Sequence, residues 1–74
     1  METIIQSGKV LVERKEFFFD LKENERGRFL KITEEVNGRR DTIIIPSTGL
    51  NDFADLLQDM IEFDEENEAG NIPA

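Results

Sequence analysis

Residues 16–36 read EFFFDLKENERGRFLKITEEV, and the fold follows from how this stretch alternates. Successive side chains of a strand point to opposite faces, so a period of two separates an apolar set from a polar one. Over residues 15–22, Phe17, Phe19 and Leu21 share one face, and Glu16, Phe18, Asp20 and Lys22 share the other. Over residues 28–36, Leu30 and Ile32 point inward with Arg28 at the strand mouth, and Phe29, Lys31 and Thr33 point the other way. Between them ENERG (23–27) forms a turn in which Gly27 can supply a positive φ. Each strand of this hairpin places one aromatic, Phe18 or Phe29, on its otherwise polar face.

Working outward, residues 4–14 (IIQSGKVLVER) are β-branched and read as a lead-in strand, with Gly8 as its bulge or bend. Asn37-Gly38 between two strand-like runs is a strong hairpin signal and is expected to be a type I′ turn. A fourth strand follows as RRDTIIIP, ended by Pro46. A helix comes next, with Ser47 as its N-cap and Asp52 and Asp55 in its early turns, where the macrodipole favours anions. Leu50, Phe53, Ala54, Leu57, Met60 and Ile61 recur at three- and four-residue steps and make a wide stripe expected to cover the sheet. Leu56 and Phe63 lie at or beyond its margin. With Met60 they form surplus apolar surface and are expected at a dimer interface. The fold class is α+β: a four-stranded antiparallel sheet plus one C-terminal helix, ββββα. The domain is expected to span 1–64, with 65–74 an acidic, disordered tail.

Seventy-four residues make one small domain, which buries only about 60% of the surface its unfolded chain exposes. Cysteine is absent, so no disulfide adds stability and thiolate zinc sites are excluded. Self-association is the remaining source of burial. The N-terminal METIIQSGKV lacks a basic region followed by an apolar core, and no run approaches a membrane span, so the expected location is cytoplasmic, with nucleoid association an option in a bacterium. The net charge of −8 is unevenly spread. All nine Lys and Arg fall in residues 9–40 with seven acids, giving +2, while residues 41–74 carry nine acids and no base.

Catalysis has little to work with. Without His, Cys or Tyr, general bases and nucleophiles reduce to carboxylates, Lys and Ser/Thr. The glycines stand singly, so no phosphate loop is present, and Asp64–Glu68 lacks the spacing and central glycine of a calcium loop. No enzyme, metal, cofactor or small-molecule substrate is expected. The polar face of the hairpin does suit a ligand: Phe18, Asp20, Lys22, Phe29, Lys31 and Thr33 lie on it, and the turn adds Asn24 and Arg26. Aromatic faces stack bases, Lys and Arg meet phosphates, and an amide reads a base edge. From the residues alone a second meaning stays open, in which Phe18 and Phe29 are covered by another subunit and the cations are solvated.

The hairpin motif FDLKENxRGRFLxI (Phe19 to Ile32), the strand end TIxxP (Thr42 to Pro46) and the helix start GLxxF (Gly49 to Phe53) resemble the PUR repeat of the purine-rich element binding proteins. The resemblance covers about residues 12–63. It implies the same ββββα unit, two of which pair through their helices into a Whirly-like unit, here a homodimer as in single-repeat bacterial members. It further implies binding of single-stranded, purine-rich (GGN-type) DNA or RNA in gene regulation. By this analogy Lys22 and Arg26 contact backbone or base edges, Asn24 hydrogen-bonds a base, and Phe29 stacks or wedges between bases. Arg28, Lys31 and Phe18 are their neighbours on the surface. The competing expectation, motivated by the charge of −8, is a protein-interaction module that kept this fold and lost nucleic-acid binding.

Overall fold

The computed structural model describes residues 1–67. Four antiparallel strands, β1 (Thr3–Val12), β2 (Lys15–Asn24), β3 (Gly27–Val36) and β4 (Arg39–Pro46), form one sheet in the order β1-β2-β3-β4. A 3-10 turn (Ser47–Gly49) leads into the helix α1 (Leu50–Glu66). The helix therefore runs three residues past Phe63, so the expected boundary at residue 64 falls inside its last turn. Residues 68–74 of the expected tail lie outside the described residues.

Register confirms the alternation of the central hairpin. Phe19 pairs Ile32 and Leu21 pairs Leu30, whereas Phe18 pairs Thr33, Asp20 pairs Lys31 and Lys22 pairs Phe29. Directly paired residues share a face, so the polar face is a grid of cross-strand rungs. They run Ile4-Lys22-Phe29-Pro46, Ser7-Asp20-Lys31-Ile44, Lys9-Phe18-Thr33-Thr42 and Leu11-Glu16-Glu35-Arg40.

The turns are tighter than the sequence suggested. Asn24 pairs Gly27, so the β2–β3 turn is only Glu25-Arg26, and Gly27 takes φ +133°. Asn37 and Gly38 have φ of 52° and 82°, the double positive φ of the expected type I′ turn. The β1–β2 turn is less suited to its residues, since Glu13 takes φ +56° without glycine's freedom. Gly8 is no bulge: it pairs Phe19 in regular register, and the shift lies between Ile4 and Gln6, making Ile5 the extra residue. A bulge there bends the start of β1 beside Lys22, and bulges are enriched next to binding sites.

Two helix expectations are corrected. Ser47 caps nothing, because it lies in the 3-10 turn, and the residue before α1 is Gly49, which has no side chain to cap with. The helix also does not cover its own sheet. Pro46 is extended (φ −57°, ψ 141°) and carries the strand direction into the turn. The molecule is 48 Å long, more than a ten-residue strand of about 34 Å or a 17-residue helix of about 26 Å. Only Leu50, at the helix start, borders a shallow apolar groove with Phe19, Leu21 and Leu30. Phe53, Leu56, Leu57, Met60, Ile61 and Phe63 are each 42–67% exposed. Across the sheet Val10, Val12 and Ile43 are exposed too, and among the described residues only Thr33 is buried, at 7%.

The single chain therefore has an apolar sheet face and an apolar helix stripe that do not meet. Its radius of gyration is 14.9 Å, against about 11 Å for a compact domain of this length. Its accessible surface is 6528 Å², against about 4,700 Å² for a globular monomer of this mass.

The left-handed backbone at Glu13 yields a stability test. Glu13→Gly is expected to relieve steric strain between the side chain and its own backbone and to stabilise the fold by about 1 kcal/mol. A urea titration checks this through a raised midpoint at unchanged slope.

Candidate nucleic-acid interface

The β2–β3 turn and the end of β4 enclose a shallow groove of about 450 Å³ lined by Asn24, Arg26, Arg28, Phe29, Ile44 and Pro46, with Glu2 at its rim. The hairpin supplies its polar groups and the neighbouring strand its apolar wall. Phe29 sits half-buried between Lys22 on β2 and Pro46 on β4. Ile44 and Pro46 were read from the sequence only as β4 and its end. Nothing in the local pattern shows that β4 lies beside Phe29; that follows from register alone.

Asn24 has its side chain committed on one side. Its Oδ1 accepts the Arg26 backbone N–H at 2.8 Å, an Asx turn that holds the two-residue loop. A backbone N–H needs an acceptor, so the amide orientation is set, and the Asn24 NH₂ is the end presented outward. Its hydrogens have no partner among the described residues. Arg26 is exposed and has no carboxylate within ion-pair range among the described residues. Glu25, beside it, is 90% exposed and reaches the Met1 amine at 3.4 Å.

The other expected site residues are placed less uniformly. Lys22 shares the Phe29 rung, but its side chain is only 16% exposed and its Nζ lies 3.4 Å from Glu2. A ligand must exchange with that carboxylate to reach it. Arg28 belongs by register to the opposite face, where its Nε bonds Glu23 at 3.2 Å, and it meets the groove only at the strand end. Lys31 lies one rung from Phe29, beside Ile44, and has no ion-pair partner among the described residues. Phe18 lies two rungs away and does not line the groove. The structure thus gathers Lys22, Asn24, Arg26, Phe29 and Lys31 at one end of the polar face, with Arg28 at its edge and Phe18 apart. Among the described residues no cluster of acidic side chains could hold a metal ion, and no helix is long and apolar enough to cross a membrane.

The fold and the groove define a ββββα protein with an open, aromatic-lined sheet surface rather than an enclosed pocket. Over residues 1–74 the chain matches the family described as PurA ssDNA and RNA-binding protein, and it belongs to that family. It is 52% identical over 59 residues to Transcription factor Pur-alpha 1 of Arabidopsis thaliana, covering 80% of this chain and 20% of the relative. Against human Transcriptional activator protein Pur-alpha it is 35% identical over 77 positions, covering 93% and 24%. Against Transcriptional activator plp-1 of Caenorhabditis elegans the figures are 37% over 73 residues, 93% and 32%. The chain spans only a fifth to a third of these relatives.

The Asx turn separates the acceptor and donor ends of the Asn24 amide. Asn24→Asp keeps the acceptor for the Arg26 N–H but removes the outward donors, so thermal unfolding is expected to change little. Asn24→Ala removes both and is expected to cost about 1 kcal/mol of stability. Thermal melts of the two variants side by side check the assignment.

Proposed function

We propose that this chain binds single-stranded, purine-rich DNA or RNA through the groove at Phe29 and acts in regulation of gene expression. The observation that carries this is the one-sided hydrogen bonding of the β2–β3 turn. With Asn24 Oδ1 bound to Arg26 N–H, the Asn24 amide and Arg26 present donors, and Lys22 joins them when a ligand exchanges with Glu2. Guanine offers two adjacent acceptors, O6 and N7, whereas adenine offers N7 beside an N6 donor that would face another donor. Phe29, flanked by Ile44 and Pro46, supplies the apolar plate against which a base stacks. Lys22 and Lys31 meet the adjoining phosphates.

In fluorescence anisotropy with a GGN-repeat strand, Arg26→Ala and Phe29→Ala are each expected to weaken binding about tenfold, in line with roughly 1–3 kcal/mol for a stacked base. Asn24→Asp is expected to lose the preference for guanine over adenine. With three or four phosphates neutralised, log K should fall with log salt at a slope of about −2 to −3. Unchanged affinity in the Arg26 and Phe29 variants would remove the site assignment.

We further propose that the working form is a homodimer in which each helix covers the other copy's apolar sheet face. The support is surface area. The excess over a globular monomer is roughly 1,800 Å² per chain, beyond the about 800 Å² per partner of a standard interface. Leu56, Met60 and Phe63 then lie in the interface together with Phe53, Leu57 and Ile61. Sedimentation at micromolar concentration is expected to give twice the 8.5 kDa chain mass, with a thermal midpoint that rises with concentration. A folded 8.5 kDa monomer would overturn the pairing.

A further inference from the structure

The third and fourth rungs of the polar face hold an arrangement that the groove does not use. Two cations approach the ring of Phe18: Lys9 Nζ lies 5.8 Å and Arg40 Cζ 5.6 Å from its centroid. Lys9 comes from β1, directly opposite Phe18, and Arg40 from β4, two strands away. The space between is kept low by Thr33 and Thr42, whose hydroxyls lie 3.3 Å apart on the same rung as Phe18. Each cation is also held by an acid from the fourth rung, Lys9 by Glu16 at 3.2 Å and Arg40 by Glu35 at 2.8 Å. Both cations remain more than half exposed.

This geometry suits phosphate better than a base. Cations already over the ring compete with any base that would stack there, whereas their outward hydrogens stay available. Laying two long side chains on an aromatic plate restricts their rotamers before a ligand arrives, which lowers the ordering cost of binding. Phe18 is about 14 Å from Phe29, four residues along the strand and one strand across. That distance spans about four stacked nucleotides at 3.4 Å each, or fewer in an extended strand. Lys31, unpaired among the described residues, lies on the rung between.

We propose that Lys9 and Arg40, presented on Phe18, are a second, sequence-blind subsite that grips the sugar-phosphate backbone of the strand whose bases occupy the Phe29 groove. Glu16 and Glu35 hold the two cations in the free protein, and phosphate oxygens displace them on binding. This rests on the nucleic-acid reading above and adds to it a contact that reads no base.

The test uses the full chain with matched guanine-rich and adenine-rich single strands, titrated across a salt series. Lys9→Gln combined with Arg40→Gln is expected to make the log–log salt slope shallower by about 1.4, that is about 0.7 per lost phosphate contact. The guanine-to-adenine affinity ratio should stay as in the unaltered protein. Glu16→Gln and Glu35→Gln are each expected to tighten binding to both strands about two- to fivefold, the range of an exposed ion pair. Misfolding cannot produce tightening, so the acid variants keep the test valid if the cation variants destabilise the sheet. An unchanged slope in the cation variant, a changed base ratio, or unchanged or weaker binding in the acid variants would overturn the subsite. If the unaltered protein shows no salt-dependent binding to either strand, the nucleic-acid reading itself fails.

Discussion

The pairing register of β2 with β3 is the constraint on which the rest depends. Because side chains alternate strictly, one register sets Phe17, Phe19, Leu21, Leu30 and Ile32 on one face and Phe18, Lys22, Phe29 and Lys31 on the other. A slip of one residue would turn one strand over and put its lysine and its polar-face phenylalanine where apolar cover is needed. The two-residue turn closed by Asn24 and Gly27 pins that register, and the Asn24–Arg26 hydrogen bond braces the turn. The same hydrogen bond that braces the hairpin leaves the Asn24 amide with its donors free among the described residues.

The second organising fact is that the apolar surface is divided between two elements that do not meet within one chain. The sheet's inner face carries no helix beyond Leu50, and the stripe of α1 stays exposed. A sheet whose apolar face is left uncovered is marginal in water, so the groove on the polar face depends on something covering the apolar one. The two faces are coupled through the thickness of the sheet: whatever packs on Phe19 and Leu30 steadies the strands that carry Lys22 and Phe29.

Charge is arranged locally rather than globally. The chain is strongly acidic, yet the polar face interleaves its cations with acids at ion-pair distance, as in Lys22–Glu2, Lys9–Glu16 and Arg40–Glu35. The exposed pairs among them, Lys9–Glu16 and Arg40–Glu35, contribute little to stability, but all three set which cations stand unopposed. Arg26 and Lys31, without such partners among the described residues, lie at or next to the groove. This arrangement leaves an acidic chain with locally unpaired cations, among the described residues, beside the groove.

Local pattern was enough for the elements themselves. Period two in 15–22 and 28–36 separated the faces, Asn37-Gly38 announced a turn with two positive φ values, and the three- and four-residue steps of 50–61 announced the helix, because each of these is a property of neighbouring residues. The KENxR turn also marked one end of the site. What depended on distant partners was not legible. The bulge at Ile5 rather than Gly8, the wall of Ile44 and Pro46 beside Phe29, and the cations drawn over Phe18 from strands on either side all arise from register between strands. The path of the helix depends on the turn geometry at residues 46–49. The sequence by itself therefore determined which residues can face together along each strand and helix. Tertiary structure alone decided which of them touch across strands, since cross-strand contact is set by pairing and not by spacing along the chain.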